Sequence, residues 1–250
     1  MATPKVLTAC RIFAGGLDLT GYSNKTGLEP EYEERDVTTF LPAADPNVGW
    51  KKCIGGLGSA KVTGGGHRDI TFGTQDELTW TNLGTVIPHS VYPDEATEGN
   101  LGYFTSVLAK SYTFGGAVGD VDTWSIDDMS AWPVVRGFSL EAPGTARTAT
   151  GTGTGVQIGA VSATQHLYAA LHVLSVAGTS SPTITVRIES DVDNTFSTPT
   201  TQITFSAATA VGGQITRVAG PVTDTWFRAG WTISGTDPSF LFVVTCGIAV

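Results

Sequence analysis

Charged residues are scarce in this chain of 250 residues, at 15% of the total, whereas an ordinary domain has about 25%. Long helices need Glu, Lys and Arg on their solvent-facing sides, so this scarcity excludes helical bundles, coiled coils and doubly wound α/β enzymes. No run of about 18 apolar residues occurs, and the N-terminus lacks the apolar core of a signal peptide. We therefore expect neither a membrane span nor export through the secretory signal route.

Cysteine is nearly absent, and the three residues present, Cys10, Cys53 and Cys246, are far apart without a CxxC pair. This spacing excludes a disulfide framework and a zinc site, and it favours small buried side chains in a reducing compartment. The four histidines lack HExxH or other paired ligand spacings, and we expect His166 and His172 on the surface. The sequence therefore predicts no metal site and no cofactor.

Catalytic motifs are missing as well. There is no GxSxG nucleophile elbow, and the glycine-threonine run at 151–155 lacks the lysine and the helix of a phosphate-binding loop. Residues 191–194 begin like a calcium loop but lack its central glycine and terminal glutamate, so we expect a turn there. No stretch places a nucleophile, a base and an orienting group together. The sequence therefore predicts no catalytic residues.

Threonine and glycine are abundant instead, with 37 Thr and 31 Gly residues. Thr suits a pleated sheet, and Gly marks turns between short strands. Alternating apolar residues indicate strands at 184–188 and 227–233, and strands are also expected at 5–13 and 103–114. We interpret residues 166–176 as a strand although their leucines also fit a helix. One helix is expected at 75–83, with Thr74 as N-cap. The sequence thus predicts an all-β fold of sandwich or jelly-roll type with one short helix.

The chain divides into two parts by charge. Residues 1–145 carry 10 basic and 18 acidic residues, a net charge of −8, and residues 146–250 carry 4 and 5, a net charge of −1. The small-residue run at 143–155 is typical of a linker. We therefore predict a β domain over residues 1–142, a Gly/Thr-rich linker over 143–155, and a second, jelly-roll-like β-sandwich over 156–250.

One extended segment is rich in acidic residues, which are Glu29, Glu31, Glu33, Glu34 and Asp36. A catalytic carboxylate pair sits in a concave apolar pocket that separates the two pKa values, and this segment has only Tyr32 as an aromatic companion. A solvated strand face, with Glu29, Glu31 and Glu33 on one side, is the simpler interpretation. A third interpretation is that the strand, repeated around a ring, gives an enclosed surface negative charge.

Short motifs over residues 5–142 follow one another in a characteristic order. They are residues 17–24, the acidic strand with 37–40 after it, 49–52, Gly56-Leu57, the glycine triplet at 64–66, Arg68-Asp69, 112–121 and 135–137. In order and spacing they resemble the tail tube (major tail) proteins of long-tailed bacteriophages, and residues 220–228 are similar to β-rich regions of phage virion proteins. The resemblance implies an all-β fold of the tail-tube type, a β-barrel or sandwich with one short flanking helix. The sheets of such proteins join edge to edge into rings, usually six-fold, that stack into a tube.

The function that the resemblance implies is that of a structural virion protein without enzymatic activity, forming the conduit for DNA delivery. Its expected partners are copies of itself, as a hexameric ring and stacked rings, and the tape-measure, tail-tip and terminator proteins. DNA would transit the lumen without specific binding, and no membrane would take part. The protein would be assembled in the host cytoplasm and reside in the phage tail of the virion. Three-fold rings with duplicated barrels, or a decorating role for residues 146–250, stay open.

The resemblance also implies roles for two sets of residues. A negative lumen repels DNA phosphates, so some of the acidic residues of the extended segment are expected to face it: Glu29, Glu31, Glu33, Glu34 and Asp36. The loop over residues 41–48 and the residues after it would contact the adjacent ring, and the residues expected in this stacking are Asp45, Pro46, Trp50, Lys51 and Lys52.

Two alternative functions remain at this point. The six tryptophans allow a carbohydrate- or receptor-binding β-sandwich module, which needs several aromatic side chains on one face. Trp226 and Trp231 differ in strand parity and cannot share a face of one regular strand. A capsid-decorating protein, forming compact trimers, is the other alternative.

Overall fold

The computed structural model describes residues 6–250, so the predicted strand that begins at Lys5 lies partly outside the described residues. Within them the fold is all-β, with one α-helix and one short 3-10 helix, Thr20–Tyr22. The elements are β1 (Arg11–Ala14), β2 (Leu17–Asp18), β3 (Ser23–Asp36), β4 (Cys53–His67), α1 (Gln75–Asn82), β5 (Val86–Tyr92), β6 (Leu101–Leu108), β7 (Thr113–Gly115), β8 (Thr123–Ser130), β9 (Val135–Glu141), β10 (Gly151–Thr152), β11 (Val156–Gln157), β12 (His166–Asp191), β13 (Thr200–Thr204), β14 (Gly212–Ala219) and β15 (Trp226–Ala249).

Two very long strands, β12 and β15, organise the C-terminal part. They have 26 and 24 residues and pair antiparallel from His166 opposite Ala249 to Asp191 opposite Trp226. Both bend near Gly178, whose φ of 128° is one that glycine adopts without strain. Alternate apolar residues on both sides of the bend pack into one core. Each strand therefore contributes to both walls of a β-sandwich, and the strand predicted at 166–176 is confirmed.

The predicted linker lies along β15. Arg147 and Phe240 exchange backbone hydrogen bonds of 2.7 and 2.9 Å, and the Trp231 indole N–H donates to the carbonyl of Ala149 at 2.9 Å. A Cβ added to Gly151 would lie 3.2 Å from the Trp231 ring, so the small residues allow close approach. The segment thus forms part of the sandwich wall. The domain division at residues 142 and 156 stays a prediction.

Strands from both parts of the chain belong to one curled antiparallel sheet, ordered β13-β12-β15-β9-β6-β5-β1-β2. β9 and β15 are direct neighbours, with Phe138 opposite Cys246. The sheet curls into a half-barrel filled by large buried side chains, including Phe13, Tyr92, Phe104 and Tyr168. The inner strands of the half-barrel consequently carry apolar residues on both faces.

This double coverage corrects one histidine prediction. His172 is fully buried instead of lying on the surface, and so is His89. The face of β12 that carries His172 is opposite the sandwich core, but it is covered by the half-barrel, so the presence of a polar residue there does not indicate exposure. The cysteine prediction is wrong for Cys53, which is exposed, whereas Cys246 is buried as predicted and Cys10 is half-buried.

A second sheet, which we call the arm sheet, has the strand order β3-β4-β8-β7 and joins the half-barrel where β8 meets β6. Its inner face and α1 enclose a core that includes Ile12, Leu19, Trp124 and Ile126. The predicted helix at 75–83 is confirmed as α1. Thr74 precedes it, but its hydroxyl donates to backbone carbonyls instead of accepting a helix N–H.

The strand predicted at 103–114 is interrupted between β6 and β7. The carboxylate of Asp128 accepts hydrogen bonds from the backbone N–H groups of Lys110 and Ser111, at 2.9 and 3.2 Å. These bonds replace the ladder bonds of a continuous strand, so the chain turns from the half-barrel into the arm sheet at this point.

Candidate functional site

The outer part of the β3–β4 hairpin extends away from the body of the protein. The third strand, β8, ends where the Ser130 hydroxyl accepts a hydrogen bond from the Ala60 N–H at 2.8 Å. Beyond this point only β3 and β4 pair, from Glu31 opposite Ser59 to Asp36 opposite Cys53. At about 3.3 Å per residue this ribbon is about 20 Å long. Both of its faces are almost wholly exposed, and a two-stranded ribbon is only marginally stable in water.

A β-bulge in this ribbon lies on β4 and leaves the alternation of side chains along β3 intact. The pairing register shifts between Tyr32 and Glu34, whose partners are Gly58 and Gly55, so the extra residue is in β4. A Cβ on Gly56 would lie 3.0 Å from Glu33 and 3.1 Å from Arg35, so these two share one face. By the two-residue period of a strand, Glu29 and Glu31 lie on that same outer face, in keeping with the expectation from the sequence. Glu34 and Asp36 lie on the other face.

Lysines offset part of this negative charge. Lys51 lies between two carboxylates, with its Nζ 3.4 Å from Glu34 and 3.8 Å from Asp36. Hydrogen bonds from Thr38 lower the pKa of Asp36 below its usual range, so this carboxylate stays ionised. Glu29 and Glu31 form no ion pair with any residue in the described range 6–250. These two carboxylates leave the outer face with uncompensated negative charge.

The loop at the end of the ribbon, residues 37–52, is called the arm loop here. Its base is closed by a hydrogen bond of 2.8 Å from the Val37 N–H to the Lys52 carbonyl. Within it, the Asp45 carboxylate accepts from the Asn47 N–H at 2.8 Å. Large apolar side chains are exposed, and the Trp50 side chain is 76% exposed. The arm loop contains all five residues predicted for stacking, namely Asp45, Pro46, Trp50, Lys51 and Lys52.

Sequence reasoning missed a second exposed surface, at the opposite end of the arm sheet. Arg68 directly follows β4, and its Nε lies 2.8 Å from the carboxylate of Asp76 in α1. A second nitrogen lies 3.2 Å from Asp122, and the guanidinium stacks 4.0 Å from the centre of the Phe114 ring. The signal in the sequence is a pair of apolar residues, Ile70 and Phe72, in a short loop before a helix.

The tryptophans do not form a shared binding platform among the described residues. Only Trp50 and Trp80 are strongly exposed, and they lie at opposite ends of the arm sheet, one in the arm loop and one in α1. Nowhere between residues 6 and 250 do three or more His, Cys, Asp or Glu side chains gather as metal ligands would. In the same range, no helix has the length and apolar character of a membrane span.

Comparison with known proteins gives distant similarities. No protein-family model matches the sequence, and no curated protein matches it. Among solved structures, a chain from the virion of a native gene transfer agent particle is 20% identical with a TM-score of 0.39, covering 50% of this chain and 92% of that chain. A chain from the tail of an empty gene transfer agent particle, refined with C6 symmetry, is 19% identical with a TM-score of 0.38, covering 49% and 92%.

The Dit protein of SPP1, described as a hub adsorption apparatus of phages infecting Gram-positive bacteria, is 12% identical with a TM-score of 0.31, covering 97% of this chain and 100% of that chain. With TM-scores below 0.5, these similarities establish neither the fold nor the activity of this chain.

Proposed function

We propose that this chain is a structural virion protein that assembles into rings, and that the rings stack into the tail tube through which DNA is delivered. The observation that carries the proposal is the arm sheet, which ends in a ribbon exposed on both faces and in a loop with exposed aromatic side chains. Exposed apolar surface and unpaired strand edges are a liability for a monomer. Contact with further copies of the chain removes both.

Ring closure follows from the two open edges of the arm sheet. Among the described residues 6–250, β3 has no partner on its outer edge along its 14 residues, and β7 pairs only with β8. Pairing β3 of one copy with β7 of the next would continue the sheet around a ring, since both ladders are antiparallel. A rotation that closes on itself produces a cyclic oligomer, for which six copies are proposed.

The outer face of the arm sheet would then line the lumen. Its inner face packs on the core of Trp124 and Ile126, which leaves the face of Glu29, Glu31 and Glu33 to point into the ring. Carboxylates there repel the phosphates of passing DNA, so that DNA moves without binding. Glu34 and Asp36, on the other face of β3, are not part of this proposed surface.

The partners of such a tube would be other copies of the chain and the proteins that meet its ends and fill it before ejection, the terminator, tail-tip and tape-measure proteins. The location would be the virion tail, after assembly in the host cytoplasm. The C-terminal sandwich, whose surface charge is nearly neutral, would lie outside the lumen as a decoration of the ring.

Electron microscopy of the purified protein at rising concentration tests the proposal. We expect hollow rings and stacks of rings. A variant with residues 34–55 replaced by Asn-Gly should stay folded and fail to assemble, because the removed ribbon is exposed on both faces. Val192→Ser, at an exposed turn, is the control that should assemble normally.

Each other result has a definite meaning. Monomers that persist at high concentration would refute the tube. Compact trimers would support a capsid-decorating protein instead, and specific glycan binding by the monomer would support the carbohydrate- or receptor-binding alternative.

A further inference from the structure

An exposed apolar patch surrounds Arg68 at the end of the arm sheet opposite the arm loop. We call it the Arg68 patch. Phe72 is 89% exposed and Trp80 is 61% exposed, and the two line one shallow hollow with Ile70 and Arg68. A second hollow shares Arg68 and is lined by Phe114 and residues of the β7–β8 loop. The large apolar side chains of the patch are all strongly exposed, and they are Ile70, Phe72, Trp80, Phe114, Val118 and Val121.

The Arg68 side chain makes this patch a rigid surface. It bridges Asp76 in α1 and Asp122 in the β7–β8 loop, and the Tyr112 hydroxyl donates to the same Asp76 carboxylate at 2.6 Å. The bond from Arg68 lowers the pKa of Asp76 below its usual range, so the bridge persists over the physiological pH range. A patch whose loops are held in advance loses little conformational entropy on binding.

The patch and the arm loop are placed for head-to-tail contact. β4 runs from Cys53, beside the arm loop, to His67, beside Arg68, and β8 begins at Thr123 opposite His67. The two surfaces therefore lie at the two ends of the same sheet, along the strand direction. Two different surfaces at opposite ends of one subunit form heterologous contacts, and these propagate as open stacks.

Charge and shape also match. The patch is rimmed by more carboxylates than Arg68 can balance, namely Asp69, Asp76, Glu77, Asp120 and Asp122. The arm loop offers Lys51 and Lys52 against a single acid, Asp45. Lys52 is exposed and forms no ion pair with a residue of the range 6–250. The loop also offers two exposed aromatic side chains, Phe40 and Trp50.

We infer that the arm loop of one copy docks on the Arg68 patch of a second copy in the next ring. Phe40 and Trp50 would cover the apolar hollow that contains Phe72 and Trp80, while Lys52 would face the acidic rim. This inference rests on the proposed function, and it names the surface that receives the stacking loop.

A complementation experiment tests this contact. One variant carries Phe72→Ser and Trp80→Ser, and a second carries Phe40→Ser and Trp50→Ser. All four side chains are exposed, so both variants should keep the fold, which circular dichroism and thermal unfolding check. Each variant alone should form rings that do not stack, with stacking weakened about tenfold or more for each lost aromatic contact. The control variant, Val192→Ser with Val211→Ser, changes two exposed apolar residues elsewhere and should form long stacks.

Mixing rings of the two variants gives the decisive result. The patch variant keeps its loop and the loop variant keeps its patch, so one productive contact remains between them. We expect pairs of rings but no stacks of three or more rings. Long stacks from the patch variant alone would overturn the inference, and so would the absence of ring pairs in the mixture, which would identify a different receiving surface.

The charged contact has its own readout, and the outcomes separate the two claims. Lys52→Glu should shorten the stacks, whereas Lys52→Arg should leave them unchanged, and added salt should weaken stacking in the wild type. Equal stack lengths for both Lys52 variants would contradict the charge match.

The outcomes also separate this inference from the proposed function. If the wild-type protein forms no rings at all, the proposed function itself fails. If the wild-type protein forms tubes and the patch variant forms them too, only the docking surface is refuted.

Discussion

His172 in β12 and Ser90 in β5 are joined inside the half-barrel by a hydrogen bond of 2.8 Å between the histidine Nε2 and the serine hydroxyl. The other ring nitrogen, Nδ1, lies 2.7 Å from the carbonyl oxygen of Gly15. Because a carbonyl can only accept, Nδ1 donates to Gly15 and Nε2 accepts from Ser90. A neutral imidazole thus ties the C-terminal strand to two N-terminal elements, and protonation of Nε2 would break this arrangement.

Acid should therefore destabilise the fold already at pH values well above those at which carboxylates become protonated. Burial lowers the pKa of both His89 and His172 to about 4, against an ordinary value of about 6.5. The unfolded chain binds these protons first, so stability is complete above about pH 6.5 and is lost as the pH falls towards 4. Between pH 7.5 and 5 we expect each histidine to cost about 2 kcal/mol in the free energy of unfolding.

Denaturant unfolding at the two pH values measures this loss. His89→Leu should remove about half of the pH dependence, since both ring nitrogens of His89 lack hydrogen-bond partners within the described residues. His67→Gln, at an exposed position, should leave it unchanged. Equal pH dependence in the wild type and in His89→Leu would show that His89 does not contribute.

Removing the charge of Glu189 should lower the stability of the C-terminal sandwich strongly. The side chain is 7% exposed and bonds Arg187 at 2.6 Å and Arg228 at 2.8 Å. Burial alone would raise its pKa, but the two arginines outweigh burial and lower it. Glu189→Gln leaves the cations without a counter-charge, and we expect a loss of about 2–4 kcal/mol in unfolding free energy. Glu29→Gln, on the exposed ribbon, should change stability by less than about 0.5 kcal/mol; similar losses in both variants would contradict the argument.

Cys53 should react slowly with thiol reagents although it is exposed. Its Sγ lies 2.8 Å from a carboxylate oxygen of Glu34, and this bond raises the pKa of the thiol above its ordinary value. Less thiolate is then present at neutral pH, and the thiolate is the reactive form. Glu34→Gln should lower this pKa and accelerate labelling by a disulfide reagent at pH 7.5, while Glu31→Gln should not. Unchanged labelling of Cys53 in Glu34→Gln, resolved by peptide mapping, would exclude the carboxylate as the cause.

If the outer face of the arm sheet lines a lumen, reversing its charge should slow DNA passage without preventing assembly. Glu29→Lys with Glu31→Lys replaces two unpaired carboxylates by cations that attract phosphates. We expect tubes of normal appearance and slower DNA release from particles, with the delay decreasing at higher salt. Val192→Lys with Val211→Lys adds two cations in the C-terminal part and is the control. Equal release rates in both variants would place Glu29 and Glu31 outside the DNA path.

Local sequence patterns were sufficient to predict individual strands and the helix. The alternation of Ile184, Val186 and Ile188 indicated one buried face, and the segment at 75–83 indicated the helix that the structure contains as α1. Such features depend on neighbouring residues only. The interruption between β6 and β7 was not predictable in this way, since it depends on Asp128, which is distant in sequence from Lys110.

The sequence by itself determined the all-β class and the concentration of acidic residues in one strand, because composition and two-residue periodicity act along the chain. The tertiary structure alone decided how these features are used. Layers on both faces of β12 bury His172, and the end of β8 at Ser130 leaves the acidic ribbon of β3 and β4 exposed on both faces. The course of β4 places the arm loop and Arg68 at opposite ends of one sheet. Each of these depends on pairing between distant strands, which no local pattern in a single sequence encodes.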